Sequence, residues 1–287
     1  MLRALWTAMR PRSWIRSALV FVPLISSHNF LEPAAVERSF VVFLGFSLLS
    51  SAVYLFNDVI DRFADSQHPM KRHRPLAARA VTVSAALTLA VFLLGGVVAA
   101  TVALANGALA LLFGAYLVIN IAYSLWLKSV VLLDTLIVAS GFLLRALAGA
   151  YGIRVEVSPW LFIVTLFTSL SIALLKRRAE MIAGTGQAVA QRPVLAQYSA
   201  SLLDQLVAIS TASANISYAL YTFNSPHSRA LMFTMPFFIY GMSRYLYLVY
   251  ERGYGEAPEE VLLGDRAFQI NLLLYAAVVF GILLATE

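Results

Sequence analysis

Residues 51–79 read SAVYLFNDVIDRFADSQHPMKRHRPLAAR. An apolar run gives way, over little more than two turns of a helix, to Asn57, Asp58, Asp61 and Asp65, and then to Lys71, Arg72, Arg74 and Arg79. If the helix continues past the apolar run, Asn57, Asp61 and Asp65 recur at i, i+4 and i+8 on one face, with Asp58 adjacent. Carboxylates at that spacing repel, and a divalent cation relieves the repulsion. Mg²⁺ prefers hard oxygen ligands and commonly takes one or two carboxylates plus substrate phosphates. The stretch therefore reads as a Mg²⁺–diphosphate site at a membrane edge. Asp58, Asp61 and Asp65 are its catalytic carboxylates, Asn57 is a fourth oxygen donor, and Lys71 and Arg74 clamp phosphate oxygens. Such a site neutralises a diphosphate leaving group as its bond to carbon breaks.

The rest of the chain supplies the membrane. Of its 287 residues 60% are hydrophobic and only 13% charged, where a soluble domain carries about 25% charged residues. The mean hydropathy is +0.78. The apolar segments are continuous rather than alternating, so helices and not barrel strands are expected. At roughly 20 apolar residues per crossing, the expected spans are 14–28, 37–57, 80–101, 106–126, 130–149, 158–177, 199–221, 229–250 and 267–286. The fold class is thus all-α, a polytopic membrane protein of about nine transmembrane helices, taken as one transmembrane domain over 1–287 with motif loops near 58–79 and 178–198. The basic N-terminal stretch looks superficially like a signal peptide. Pro11 and Trp14 interrupt it and no small-residue cleavage site follows, so it reads as a retained first helix.

The net charge of +6 is first topological. Arg3, Arg10, Arg12 and Arg16, then Arg62 to Arg79, Lys128, and Lys176 to Arg192 fall in alternate loops, as the positive-inside rule requires. The N-terminus and the motif loops are expected to face the cytoplasm across the inner (plasma) membrane, with the C-terminus on the far side. The absence of cysteine excludes disulfides, thiolate catalysis and cysteine metal sites. Nucleic-acid binding is not expected, because the basic residues form no soluble basic domain.

Lys128, Asp134 and Arg145 lie in or beside the fifth span. Ionisable groups at membrane depth are costly and face a polar cavity or a partner. Asp134 and Arg145 are about three turns apart and can share a face. Tyr123 and Tyr198 carry hydroxyls able to donate to phosphate. Arg244 is left unassigned, and His68 reads as a loop-structure residue.

NDVIDRFAD, residues 57–65, is similar to the NDxxDxxxD signature of the UbiA-type membrane prenyltransferase superfamily. That likeness implies nine transmembrane helices around a central cavity, open to the cytoplasm and laterally to lipid. RPRSWIRSALVFVPL (10–24), DSQHPMKRHRPLA (65–77), the stretch 123–150 and LLKRRAEM (174–181) resemble, more narrowly, the decaprenyl-phosphate phosphoribosyltransferase branch. Ser13, Arg16 and Ser17 stand where that opening usually has Gln, Lys and Asn.

The narrower likeness implies phosphoribosyl pyrophosphate as donor, a polyprenyl (decaprenyl) phosphate as acceptor, Mg²⁺ as cofactor and a role in cell-wall arabinan precursor synthesis. Prenyl-diphosphate members of the superfamily carry a second Asp-rich motif after the sixth helix. Here that loop offers Lys176, Arg177 and Glu180 and no Asp pair, which favours direct phosphate contact by these residues. Arg16, Lys128 and Arg145 are expected to help hold the lipid's anionic headgroup. The alternatives are an aromatic prenyltransferase using a polyprenyl diphosphate, for a quinone or haem pathway, and, more distantly, a secondary transporter. Membrane lipid is a partner in every case, and a homo-oligomer is left open.

Overall fold

Helix boundaries follow the local chemistry of the chain. The computed structural model describes residues 2–67, 71–183, 193–225, 228–255, 261 and 263–285, the side chains of Ala183 and Pro193 excepted. Ten α-helices are used below: α1 (Leu2–Ala8), α2 (Val22–Ser26), α3 (Pro33–Ser66), α4 (Val83–Leu104), α5 (Gly107–Leu125), α6 (Leu133–Ile153), α7 (Pro159–Ala183), α8 (Ala200–Phe223), α9 (Met235–Arg252) and α10 (Arg266–Ala285). Pro33 opens α3 at a position where its missing N–H costs nothing. Thr82, Asn106 and Ser199 cap α4, α5 and α8, each side chain accepting a backbone N–H three residues on. Gly253, at φ 71°, ends α9 in the left-handed conformation that favours glycine. No strand occurs among the described residues.

The described residues include six helices long and apolar enough to cross a membrane: α3, α4, α5, α6, α7 and α10. The expected count of nine is not reached on length and apolarity. Residues 11–21 form a 3₁₀ helix rather than the start of an α-helical span, and α2 adds only five residues, Val22–Ser26. Proline at 11 and 23 and positive φ at Arg10 and His28 break this segment up. The expected spans 199–221 and 229–250 are helical as α8 and α9, but Asp204, Gln205, Arg244 and Glu251 make them more polar. Residues 229–234 form a 3₁₀ turn before α9 begins.

The chain forms two units. The first comprises Met1–Lys128 and Leu144–Glu156, the second Ser129–Leu143 and Val157–Glu287. Helix α6 contributes its first half to the second unit and its last half to the first. In the first unit α3 packs on α4, α5 and the 3₁₀ segment, around Val42, Phe46, Leu49, Val53, Val97, Leu109 and Phe113. Phe46 meets Phe113 edge-on at 5.1 Å between centroids. A Cβ at Gly149 would lie 2.1 Å from the Val20 carbonyl oxygen, so the 3₁₀ segment sits against α6 at a distance only glycine permits. In the second unit α7 packs on α8, and α9 on α10, around Leu174, Leu175, Leu203, Val207, Leu248 and Val249.

The outward faces are as apolar as the core. Val91, Phe92, Val98 and Val102 of α4, Leu111 and Val118 of α5, Ile209 and Ile216 of α8, and Ile270 and Leu273 of α10 are all exposed. Water does not tolerate such contiguous apolar surface, and lipid does. The protein is multi-pass and membrane-embedded. Helix α3 has 34 residues and at 1.5 Å per residue is about 51 Å long, against about 30 Å of hydrocarbon. One end of it therefore projects well beyond the apolar layer, and its apolar run leaves off where the Asn57–Asp65 motif begins.

Candidate metal and phosphate site at the tip of helix α3

The α-helix continues through Ser66, as the motif spacing requires. At 100° per residue the four side chains fall within about 100° of the helix circumference. The partners divide them into two pairs. Asp58 and Asp65, seven residues apart, are both buried and both accept hydrogen bonds from Arg74 Nη1, at 3.3 and 2.7 Å. Asp58 also accepts a hydrogen bond from Arg10. Asn57 and Asp61 point elsewhere: Asn57 Oδ1 accepts from the Ser124 hydroxyl, and Asp61 forms an ion pair with Lys128 Nζ at 2.8 Å. Asp65 thus sits with Asp58, not with Asn57 and Asp61 as the i, i+4, i+8 pattern suggested. The seven-residue step returns almost to the same face, while Asn57 lies about 80° from Asp65.

Three cations face three carboxylates at this tip. Arg74 is aimed by a tight turn, its N–H bonding the Lys71 carbonyl at 2.9 Å. Arg10 has φ 53°, left-handed for a non-glycine residue; such strain concentrates at functional sites. Its guanidinium stacks 4.8 Å above the Tyr54 ring. Lys128 closes the 3₁₀ turn 127–129 after α5. Lys71 and Tyr123 are half-buried. His68 and residues 184–192 lie outside the described residues.

The donor chemistry fits a hard divalent cation. Asp58 Oδ2 is buried with no hydrogen-bond partner, an orphaned oxygen of the kind a cation satisfies. Among the described residues, however, no group of three or more Asp, Glu or His side chains is arranged to hold a metal by itself. The tip is suited to a cation that brings phosphate oxygens with it.

Two turns toward the core, Arg145 is buried and donates to Ser50 Oγ at 2.8 Å and Tyr116 Oη at 3.0 Å. Its guanidinium also lies over the Phe46 and Tyr116 rings. Arg16 donates to Tyr54 Oη at 3.1 Å, and Trp14 Nε1 to Ser51 Oγ at 3.0 Å. The 3₁₀ segment is thereby tied to α3 through Trp14 and Arg16.

The second unit holds a separate ionic network. Arg177 is buried and bridges Asp134, itself fully buried, and Glu180. Lys176 lies 4.0 Å from Glu180. Tyr198 donates to Asp134 Oδ1 at 2.7 Å and accepts the Leu132 N–H at 2.7 Å. Burial and the bond to Asp134 push the Tyr198 phenol up to about 12, so it remains a protonated donor at neutral pH. Asp134 and Arg145 occupy one helix but serve different units and different partners. Farther along, Arg178 pairs with Asp204 and stacks 3.7 Å over Tyr250, and Arg244 pairs with Asp265 at 2.8 Å.

Sequence reasoning treated Arg10 as a topological charge only and passed over Ser124, Tyr54, Ser50, Tyr116 and Asp204. Arg10 opens the RPRSW stretch, the one signal that singled out this segment. The others carried none.

The structure is thus a many-helix membrane protein with an oxygen-rich, cation-ringed helix end. The model of the UbiA prenyltransferase family matches residues 18–273. Decaprenyl-phosphate phosphoribosyltransferase of Corynebacterium glutamicum is 33% identical, over 97% of this chain and 85% of that protein. The Mycobacterium tuberculosis protein of the same name is 32% identical, over 96% and 94%. The fold is similar to that of a UbiA homolog from Archaeoglobus fulgidus bound to GPP and Mg²⁺, with TM-score 0.76 and 17% identity over 98% of this chain and 99% of that one. The chain belongs to the UbiA prenyltransferase family and is a UbiA-type transferase.

Proposed function

We propose that this transferase moves a 5-phosphoribosyl group from phosphoribosyl pyrophosphate to a polyprenyl phosphate, releasing diphosphate, with Mg²⁺ as cofactor. The observation that carries the reading is the α3 tip, where Asp58, Asp61 and Asp65 are matched by Arg10, Arg74 and Lys128. The 33% identity to a decaprenyl-phosphate phosphoribosyltransferase along 97% of the chain supports the choice of donor and acceptor. On this reading the reaction belongs to cell-wall arabinan precursor synthesis, and the alternation of basic loops supports an α3 tip that faces the cytoplasm across the inner membrane.

In this mechanism Asp58 and Asp65, as one pair, and Asn57 and Asp61, as another, would be the oxygen donors that hold Mg²⁺ together with the donor diphosphate. Bound there, Mg²⁺ neutralises charge that builds on the leaving group. Arg74, Lys71 and Lys128 bind diphosphate oxygens as point and fork donors. Arg16 and Arg145 attract the acceptor's phosphate, and the isoprenoid tail lies among the apolar helices. Tyr123, Tyr198, Lys176, Arg177, Glu180 and Asp134 complete the proposed substrate-binding set, with Asp134 and Arg177 acting through the order they impose on Tyr198 and Glu180. The ribose C1–oxygen bond to diphosphate breaks with its electron pair leaving on diphosphate. A lipid phosphate oxygen then forms the new bond to C1. That oxygen is already ionised at neutral pH, so positioning and electrostatics supply the rate without a dedicated base.

Purified protein is incubated with radiolabelled phosphoribosyl pyrophosphate, a polyprenyl phosphate and Mg²⁺; a labelled lipid is expected. No labelled lipid, together with a prenylated product in a parallel assay of a polyprenyl diphosphate and an aromatic acceptor, overturns the donor assignment. Asp61→Ala should lower turnover at least about 100-fold while the protein stays folded, and full activity would remove the metal-site assignment.

A further inference from the structure

We infer that Arg10, Arg74 and Lys128 are exchangeable counter-ions, which neutralise the motif carboxylates until a metal–diphosphate pair arrives and then transfer to its phosphate oxygens, so that metal and diphosphate bind as a coupled pair. The inference rests on the diphosphate-site reading above.

The geometry separates these three cations from ordinary structural pairs. Their side chains are 31%, 30% and 34% exposed, whereas Asp58 and Asp65 beneath Arg10 and Arg74 are 3% and 7% exposed. Arg10 and Arg74 therefore lie on the outer side of their carboxylates, with room to turn outward, and Lys128 and Asp61 are both about one-third exposed, at 34% and 36%. Because the cation side of each pair is solvated, turning it outward costs less than breaking a fully enclosed pair, provided that a metal ion takes its place on the buried carboxylate. Among the described residues each of the three carboxylates already has a cation against it, so a metal ion arriving alone gains little attraction. A cation arriving with diphosphate brings the anion that the displaced side chains need. By linkage, diphosphate then raises the affinity for metal as much as metal raises that for diphosphate.

Arg10 is the informative member, because it reaches Asp58 from 48 residues away and shares that carboxylate with Arg74. Its strained backbone fixes the side chain over Tyr54, within reach of both the carboxylate and a ligand above it. Arg10 is thus a positioning residue for metal and donor together.

The test uses the full chain in lipid nanodiscs, with Mn²⁺ as probe and free Mn²⁺ read by electron paramagnetic resonance. Titrations run with and without inorganic pyrophosphate, corrected for the complex the two form in solution. In the unaltered protein pyrophosphate should tighten Mn²⁺ binding at least tenfold. Arg10→Gln should bind Mn²⁺ alone several-fold more tightly, and its gain from pyrophosphate should shrink at least threefold. Arg10→Lys should restore most of the gain, which a merely structural role would not. Lys128→Gln applies the same reading at Asp61 and does not depend on the N-terminal segment folding correctly. Unchanged Mn²⁺ affinity and unchanged gain in Arg10→Gln and Lys128→Gln would overturn the exchange alone. Absence of Mn²⁺ binding with pyrophosphate in the unaltered protein would overturn the diphosphate-site reading, and the exchange with it.

Discussion

The α3 tip and the Asp134–Arg177–Glu180 network use the same residue types for opposite ends. At the tip the cations sit on the outside, about one-third exposed; Asp58 and Asp65 beneath Arg10 and Arg74 are covered, while Asp61 is as open as its partner Lys128. In the second unit the cation itself is inside: Arg177 is 2% exposed and Asp134 fully buried, with Tyr198 completing the carboxylate's bonds. An ion pair open on one side can be exchanged for a ligand. One closed on all sides is fixed, because either charge left alone would be stranded in a low-dielectric interior.

The comparison can be broken most forcefully at Arg177. Arg177→Ala should destabilise the protein by about 3–5 kcal/mol, read from unfolding in mixed detergent micelles, and the double change Asp134→Asn, Arg177→Met should recover a good part of it. A neutral Arg177→Ala would place that network with the tip, not against it. Lys128→Ala should do the reverse, lowering turnover roughly tenfold while changing stability by less than about 1 kcal/mol. The smallest effect sharpens the comparison by holding the unit constant and changing exposure. Asp265 caps α10 by accepting the Phe268 N–H at 2.7 Å, and the hydrogen bond from Arg244 holds its carboxyl below the usual range. A depressed carboxyl contributes stability above its unfolded value of about 3.9, and that contribution disappears as pH falls through the lower folded value. The unfolding midpoint should decline modestly below about pH 4, and Asp265→Asn should flatten that decline.

The helical class and the motif were legible because both are local. Hydropathy marked the segments that became α3 to α7 and α10, and the helix does run on to Ser66, although its oxygen donors divide into two pairs. The first expected span failed where local signals conflict: its apolar content suggested a membrane helix, but Pro11, Pro23 and the left-handed Arg10 shape a 3₁₀ segment. Residues 199–221 and 229–250 were judged on average apolarity, which hides Asp204 and Arg244 satisfied by distant partners. The partner assignments were out of reach for a single reason. Ser124 meets Asn57 across 67 residues and Arg177 meets Asp134 across 43, and periodicity carries no information at that range. Arg16 was singled out for its charge, yet it is Arg10, earlier in the same stretch, that touches a motif carboxylate.

Helix α3 has no proline after Pro33 and no break up to Ser66. Phe46, wedged against Phe113, and Asp58 lie on this one rod about 18 Å apart along its axis. A rod transmits rotation without loss, so a change in how Phe46 seats among its aromatic neighbours would turn the oxygen donors at the far end through the same angle. The orientation of the motif is therefore written partly in hydrocarbon, at positions that never meet a phosphate.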